Sequence, residues 1–361
     1  MLKLEARPQP SQVMSLLSPV LALVLTALIA ALLFLALGKD PVKGLAIFFV
    51  EPFSNARQIS EVLLKATPLI VIALGLAVCY RSNVWNIGAE GQYLLGVLGG
   101  GGVALWLTTH GVVLPKPVAV PLVLAGGVLG GMAWAAIVAV LRDKFNASEI
   151  LVSLMLVYVA QQLVNYMVFG PWKDPAGFNF PQTKNFDAST WMPNLLTGTR
   201  LHVGFIVALL LVALMWVFMF RIYRGFQLQV GGQAPAAARY AGFSASTSLW
   251  TALMISGGLA GLAGGMEAIG TLRQVTPHVS AGLGFTAIIV CFVGRLHPVG
   301  IIFAGVLLSM MIIGGELGQS RLGLPNALTG VFQGLLLVLL LACDTLIHFR
   351  IRVRSALAAA H

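Results

Sequence analysis

Charged side chains are scarce in this sequence. Asp, Glu, Lys and Arg together make up 9% of its 361 residues, whereas soluble globular domains carry about a quarter. Hydrophobic residues make up 58% of the chain, and the mean hydropathy is +0.91. One soluble core could not bury so many apolar stretches, so a soluble enzyme or binding domain is excluded, and the chain is expected to lie mostly in a lipid bilayer.

Acidic residues, cysteines and histidines are also few. The 12 Asp and Glu are outnumbered by 22 Lys and Arg, which gives a net charge of +10. The basic residues are scattered singly between apolar runs instead of forming a stripe with aromatics, so nucleic acid is not expected as a partner. Cys79, Cys291 and Cys343 lack metal-ligand spacing, and the six histidines are dispersed. No metal site is expected.

Catalytic and nucleotide-binding motifs are missing as well. The sequence has no G-x-x-x-x-G-K-[ST] loop for phosphates, no H-E-x-x-H and no nucleophile elbow. We therefore expect no catalytic residues and no cofactor on this chain, and any ATP hydrolysis must occur on another chain.

Long apolar runs predict an all-α fold, a polytopic transmembrane helical bundle that forms one domain over residues 1–361. The eighth run is short, which predicts a re-entrant or broken helix. About ten spans are predicted, near residues 19–37, 62–79, 91–109, 118–140, 150–169, 202–220, 248–270, 281–294, 298–314 and 326–347.

Basic residues beside these spans indicate the orientation, because Lys and Arg are retained on the cytoplasmic side. With ten spans, three clusters fall on the side of the N-terminus, and the loop 170–201 faces outward. Lys43, Arg57 and Lys65 are exceptions. The clusters are Arg142 with Lys144, then Arg221, Arg224 and Arg239, and then Arg350, Arg352 and Arg354.

Glycines spaced by four predict close helix packing, since they let helix backbones approach. The pairs are Gly96/Gly100, Gly127/Gly131, Gly257/Gly261, Gly261/Gly265 and Gly330/Gly334. For any single pair, the high frequency of glycine in membrane helices is an equally good explanation.

The two halves of the chain, about 60–170 and 240–350, have a weak internal similarity. Each has a polar, glycine-bearing stretch before a glycine-rich apolar span, at Arg81–Gln92 and Arg273–Gly284. Internal repeats with interruptions at matching places are typical of transporters and indicate the substrate path. A pseudo-repeat is therefore predicted.

The stretch Arg81–Gln92 places amides, a carboxylate and glycines between two apolar runs. Irregular polar backbone at membrane depth is tolerated only inside protein or beside water. Asn86, Glu90 and Gln92 are therefore candidates to line a path for a polar solute. The alternative is an ordinary cytoplasmic turn with a solvated Glu90.

Two further groups of polar residues lie within predicted spans. Glu267 is an ionisable residue in an apolar span, which by default suggests a functional site. A structural hydrogen bond to a neighbouring helix, or a hydrated position near the interface, is the slightly better explanation. Tyr158, Gln161, Gln162 and Asn165 recur at three to four residues and predict one polar stripe that faces other helices or water.

Two local structures are predicted on the cytoplasmic side. Asn146 is expected to cap the helix that follows, with Glu149 reaching back as in a capping box. In the loop 221–247, Pro235 suits a first helical position and Gly242 a helix end, so a short helix is predicted between them. Such a helix could be gripped by a partner ATPase, although a plain connecting loop is the alternative.

Four stretches in order carry a family resemblance: 86–92, which reads Asn-Ile-Gly-Ala-Glu-Gly-Gln, then 146–158, 231–242 and 282–300. They resemble permease subunits of ATP-binding-cassette importers of the simple-sugar and nucleoside type, related to ribose permeases. The resemblance covers roughly residues 60–345. Val157 departs from it, since an asparagine is usual there.

The resemblance implies a bacterial inner-membrane subunit with four kinds of partner: a cytoplasmic ATPase that holds ATP and Mg, a second permease subunit (sister or self), an extracytoplasmic substrate-binding protein and the lipid bilayer. It implies import, with purine nucleosides as the preferred substrate and simple sugars as the alternative. The expected solute path comprises Trp85, Asn86, Glu90, Gln92, Tyr158, Gln161, Glu267 and Phe285. The expected ATPase-coupling residues are Gln233, Pro235, Ala237, Arg239, Tyr240 and Gly242.

Two other classes of protein remain as alternatives. An ion-coupled secondary transporter would use Glu90 and Glu267 as carriers of protons or cations. A membrane-embedded enzyme would need a cluster of acid, base or metal ligands, which the dispersed histidines do not provide.

Overall fold

The computed structural model describes residues 2–7, 9, 11–279, 282–325 and 327–353. Helices dominate it, which confirms the predicted fold class. Arg354 of the third basic cluster lies outside the described residues, as do residues 280 and 281 within the predicted stretch Arg273–Gly284. The helices are α1 Gln12–Ala36, α2 Pro41–Phe49, α3 Ala56–Arg81, α4 Ala89–Thr109, α5 Lys116–Phe145, α6 Glu149–Phe169, α7 Gly204–Arg221, α8 Tyr223–Gln233, α9 Pro235–Tyr240, α10 Ala245–Met266, α11 Leu283–Val293, α12 Pro298–Leu322 and α13 Ala327–His348.

In the part of the chain that the structure describes, eight helices are long and apolar enough to cross a membrane, namely α1, α3, α5, α6, α7, α10, α12 and α13. Helix α4 has 21 residues and is about 30 Å long, but four consecutive glycines, Gly99–Gly102, lower its hydropathy. Helix α11 has 11 residues and is the short eighth run of the prediction. With these two helices, all ten predicted spans correspond to helices.

Four smaller elements are also present among the described residues. Helix α10 continues into a π-helical turn at Glu267–Leu272, and a 3-10 turn spans Glu51–Phe53. Strands β1 (Leu2–Ala6) and β2 (Phe349–Val353) pair antiparallel, with Leu2 opposite Val353 and Ala6 opposite Phe349. The sequence did not predict this terminal ribbon.

The described chain divides into two compact units, whose boundaries fall after Asn55 and after Ser309. The unit of the two terminal segments contains α1, α2, α13 and the ribbon. Phe34, Phe48 and Phe332 form an aromatic cluster in it, with ring centroids 5.2 to 5.8 Å apart. Ser18 also donates a hydrogen bond to Asp344 at 2.5 Å.

The unit of residues 56–309 is built around α3, α4, α5 and α10. Its core contains the glycine pairs of α4, α5 and α10 that were predicted to allow close helix packing. A Cβ on Gly96 would overlap the backbone of Gly261, and one on Gly131 would overlap Gly257. The three helices α4, α5 and α10 therefore cross with their backbones in contact, as the spacing of glycines predicted.

The pair Gly330/Gly334 differs from the others. A Cβ on either residue would meet no atom within 4 Å. This pair therefore marks no close helix contact within the described residues, and the general abundance of glycine in membrane helices accounts for it.

The predicted capping box at Asn146 is wrong. Asn146 has φ +50°, in the left-handed region, and forms the C-cap of α5, while Ser148 occupies the N-cap position of α6. Glu149 pairs with Arg142 at 3.1 Å instead of reaching back to Asn146. The three-residue connection places Asn146 at the end of one helix, and it cannot also begin the next.

Candidate functional site

The segment between α3 and α4 forms a buried amide network. Asn86 and Gln92 are 0% and 1% exposed, and their side chains exchange hydrogen bonds of 2.9 and 3.3 Å. Asn86 Nδ2 also donates to Ser256 Oγ on α10 at 3.0 Å, and Asn86 Oδ1 accepts from the Gly88 backbone. The network therefore joins the beginning of α4 to α10, and it satisfies polar groups that burial would otherwise penalise.

Glu90 lies beside this network and contacts the first turn of α11. Its side chain is buried, which excludes the alternative of a solvated Glu90 in an exposed turn. Glu90 Oε2 accepts a hydrogen bond from the Gly284 backbone at 2.5 Å, and the amides of Gly282 and Phe285 are directed at the same carboxylate.

The first N–H groups of a helix have no partner within the helix, and the helix dipole favours negative charge at that end. Gly282, at φ +77°, is the N-cap of α11, and the cap makes no side-chain hydrogen bond of its own. Glu90, which lies on α4, provides the hydrogen-bond acceptor that these first N–H groups of α11 lack within their own helix. A Cβ on Gly284 would overlap the backbone of Glu90, so the close approach requires glycine there. The contact fixes the first turn of the half-length helix α11 against α4.

The other predicted path residues are more accessible. Tyr158 on α6 is 71% exposed, and Phe285 on α11 is also exposed. Gln161 donates to the Pro277 carbonyl at 3.1 Å, which connects α6 to the segment before α11. Trp85 packs on Tyr80 near the end of α3, with ring centroids 5.4 Å apart. Solute contact by these residues and by Asn86, Glu90 and Gln92 stays a prediction.

Glu267 begins the π-helical turn, a feature that is frequent at functional sites. Its carboxylate interacts electrostatically with Lys65 and Arg200. Arg200 in turn binds Glu61 through two hydrogen bonds of 3.0 and 2.6 Å. The positive charges of Lys65 and Arg200 act favourably on the Glu267 carboxylate, which favours the structural explanation of Glu267.

The predicted coupling segment forms two short helices, α8 and α9. Helix α9 begins at Pro235, and Gly242 at φ +76° follows its end, so the predicted helix is confirmed. Tyr240 is 97% exposed and Arg239 is exposed beside it. Helix α8, which was not predicted, contacts the end of α3, since a Cβ on Gly232 would overlap the carbonyl of Arg81.

Of the other predicted coupling residues, Ala237 and Pro235 are exposed on α9, and Gln233 is exposed at the end of α8. A cavity of about 610 Å³ lies beside them, lined by α9, the end of α5, the first residue of α6, the segment after α3 and the first turn of α10. The surface around α9 thus combines an exposed helix with a recess, as a docking surface for a protein partner requires.

Comparison with known proteins identifies the family. A family described as branched-chain amino acid transport system / permease component matches residues 58–341. The chain belongs to this permease family.

Three curated relatives cover most of this permease. It is 33% identical to a glucose ABC transporter permease of Haloferax volcanii, over 93% of this chain and 90% of the relative. It is 30% identical to a guanosine ABC transporter permease of Bacillus subtilis, over 92% and 95%. It is 29% identical to a nucleoside ABC transporter permease of Lactococcus lactis, over 87% of each.

A second permease from each of these three organisms also matches, at 25 to 27% identity. Because the relatives are ABC transporter permeases, the permease is a transport component and not an enzyme, with ATP hydrolysis on a separate chain. Its apolar helices make it a multi-pass membrane protein. Among the described residues, no group of three or more His, Cys, Asp or Glu could hold a metal ion.

Proposed function

We propose that this permease imports nucleosides, with a preference for purine nucleosides, across the bacterial inner membrane by ATP-driven alternating access. The observation that carries the proposal is its similarity, over most of both chains, to permeases named for guanosine and for nucleosides. Simple sugars are the second candidate, because the glucose permease of Haloferax volcanii is 33% identical.

The exposed aromatic residues support the nucleoside over the sugar. A nucleoside offers a flat base for stacking and hydroxyls and base edges for hydrogen bonds. Tyr158 and Phe285 are exposed on helices α6 and α11, and Gln161 lies on α6 beside Tyr158. These residues supply aromatic faces and an amide, and Gln161 binds Pro277 in the segment before α11.

Coupling to ATP hydrolysis is proposed to occur through α8 and α9. A partner ATPase that changes shape on binding ATP would move α9 through contacts with Arg239 and Tyr240. Because Gly232 of α8 contacts the end of α3, such a movement reaches the segment before α4. The contact of Glu90 with the first turn of α11 then moves α4 and α11 together. ATP and solute must bind the two resulting states differently for transport to be driven.

The complete transporter is proposed to contain a sister permease, since each of three organisms has two permeases that match this chain. In each of these organisms, one of the two permeases has a higher sequence identity to this chain than the other. It would also contain a cytoplasmic ATPase with ATP and Mg, and an extracytoplasmic substrate-binding protein.

Uptake of labelled guanosine, adenosine, uridine, ribose and glucose by cells with and without this permease tests the proposal. Each solute is measured with and without vanadate and with and without a protonophore. We expect loss of vanadate-sensitive guanosine and adenosine uptake when the permease is deleted. Loss of sugar uptake alone would establish the second candidate, and uptake that only the protonophore abolishes would indicate an ion-coupled transporter.

Charge reversal on α9 tests the coupling surface. Arg239→Glu combined with Tyr240→Ala is expected to abolish ATP-dependent uptake, because both side chains are exposed and would contact the ATPase. Lys116→Glu, an exposed basic residue at the first position of α5 and away from α8 and α9, is the matched control and should retain uptake. If the α9 double variant transports like the wild type, α9 is not the coupling surface.

A further inference from the structure

The guanidinium of Arg81, the last residue of α3, contacts three other segments of the chain. Arg81 Nε donates to the Leu296 carbonyl at 2.9 Å, and Nη1 donates to Gln229 Oε1 on α8 at 3.2 Å. The same guanidinium lies over the ring of Phe220, near the end of α7, 4.9 Å from the ring centroid. One side chain thus joins α3 to α7, to α8 and to the connection between α11 and α12.

Helix α8 is bound to Arg81 and to the neighbouring helix α7. Gln229 Nε2 donates to the Met219 carbonyl of α7 at 2.6 Å, while its Oε1 accepts from Arg81. A Cβ on Gly232 would overlap the Arg81 carbonyl, so α8 also lies against the backbone of α3. A displacement of α8 therefore acts on Arg81 through both its side chain and its backbone.

The connection between α11 and α12 is a tight turn with an unusual backbone. Arg295 and Leu296 have φ of +55° and +54°, in the left-handed region that residues with a Cβ rarely adopt. Such a conformation persists only where the surrounding contacts hold it. The Leu296 N–H donates to the Cys291 carbonyl of α11 at 2.9 Å, and the Leu296 carbonyl accepts from Arg81. The turn is thus fastened to the end of α11 on one side and to Arg81 on the other.

Helix α11 is therefore held at both ends by residues of α3 and α4. Glu90 accepts a hydrogen bond from Gly284 in its first turn, and Arg81 donates to Leu296, which follows its last turn. The helix has 11 residues and is about 17 Å long. Because the two contacts lie at opposite ends of so short a helix, they fix both its position and its direction relative to α3 and α4.

The contacts of Arg81 require an arginine and not merely a positive charge. A guanidinium is planar, presents its donors in fixed directions and stacks on aromatic rings, whereas a lysine has one ammonium group on a flexible chain. Arg81 uses both properties, with donors directed at Leu296 and Gln229 and a face on Phe220. The rule that places basic residues at the ends of membrane helices is satisfied equally by lysine, so it does not account for this set of contacts.

We propose that Arg81 is the positioning residue that transmits movement of α8 to the end of α11. The inference rests on the proposed function, since it requires coupling through α8 and α9. Arg81 contacts neither solute nor ATP in this role and acts through Gln229 and Leu296. Its replacement leaves the exposed surface of α9 intact, so the ATPase still docks and hydrolyses ATP. Transport, which requires α11 to follow α8, is lost.

Uptake and ATP hydrolysis measured in the same vesicles test this role. The complete transporter, with sister permease, ATPase and binding protein, is reconstituted with Arg81→Lys and supplied with labelled guanosine. We expect the maximal uptake rate to fall about tenfold while the KM for guanosine and the rate of ATP hydrolysis change by less than about twofold. Arg57→Lys is the matched control, since Arg57 is an exposed basic residue in the first turn of the same helix, and it should change neither rate.

A compensating pair of substitutions separates positioning from a general loss of stability. Gln229→Leu removes the acceptor on α8 and should also raise the amount of ATP hydrolysed per guanosine. Arg81→Lys combined with Gln229→Glu joins α3 to α8 by an ammonium and a carboxylate, which form a strong hydrogen bond. This double variant is expected to recover a large part of the uptake that Arg81→Lys loses. Thermal unfolding in detergent shows that each variant is folded.

The outcomes distinguish failure of the inference from failure of the proposed function. If Arg81→Lys hydrolyses as much ATP per guanosine as the wild type, the inference is overturned and the function stands. The same holds if Arg57→Lys loses uptake to the same extent. If uptake and ATP hydrolysis fall together and the double variant recovers neither, Arg81 has only a structural role. If the wild-type transporter shows no vanadate-sensitive guanosine uptake, the proposed function fails, and the inference fails with it.

Discussion

Replacement of Glu90 by glutamine removes the charge that caps helix α11 and keeps the size of the side chain. Glu90 accepts a hydrogen bond of 2.5 Å from the Gly284 backbone, and the amides of Gly282 and Phe285 point at it. A glutamine has one acceptor oxygen and turns an N–H₂ group toward those amides. We therefore expect Glu90→Gln to loosen the first turn of α11.

The magnitude follows from the burial of the contact. Hydrogen bonds to charged groups are worth about 1.5–3 kcal/mol, and a partly buried charge at a helix end contributes up to about 2 kcal/mol. Because these values describe overlapping parts of one interaction, we expect a loss of about 2–3 kcal/mol in total. For a unit of this size, that loss lowers the unfolding midpoint by roughly 4–8 °C.

Glu149→Gln is the matched control for this experiment. Glu149 also lies at a helix N-terminus, but it pairs with Arg142 near the surface, where the side chains are 13% and 38% exposed. Such surface pairs contribute about 0–1 kcal/mol. Thermal unfolding of both variants in detergent, together with guanosine uptake, makes the comparison. If Glu90→Gln is as stable as Glu149→Gln and transports normally, Glu90 does not hold α11 in place.

Two further predictions concern packing and pH. Gly96→Ala should lower stability by about 1–3 kcal/mol, because its Cβ overlaps the Gly261 backbone, whereas Gly330→Ala, in open space, should leave stability unchanged or higher in the same thermal assay. Burial, and secondarily the charge of Arg273, lowers the pKa of His202 from 6.5 to about 4. Stability should therefore fall as pH decreases from 6.5 toward 4, and His202→Gln should flatten this profile; a wild-type profile in that variant would exclude His202 as the cause.

Some of the candidate site was visible in the sequence and some was not. The stretch Arg81–Gln92 was identified because its amides and carboxylate interrupt apolar runs. Ser256, which completes the Asn86 network, gave no signal, since serine is common in membrane helices and its partner lies 170 positions away in the chain. Asn86 and Ser256 become neighbours only because α4 and α10 cross in the folded chain.

Helix α8 and the terminal ribbon were missed for a different reason. Helix α8 has few apolar residues and no strong start signal, so hydropathy cannot distinguish it from the loop around it. The ribbon pairs residues 2–6 with 349–353. Two short strands are not stable by themselves, and here the pairing follows from the contact of α1 with α13, which brings the chain ends together.

The sequence by itself predicted that the chain crosses the membrane repeatedly, which helices do so and where helix α9 begins and ends. These features depend on the hydropathy of short stretches and on the positions of proline and glycine. Residues that are close together in sequence therefore suffice to predict them. Only the tertiary structure decided that Glu90 caps α11, that Asn86 binds both Gln92 and Ser256, and that a Cβ on Gly96 would meet Gly261 while one on Gly330 would meet no described atom within 4 Å. Each of these depends on which helices meet and at what distance, and a single sequence does not state that.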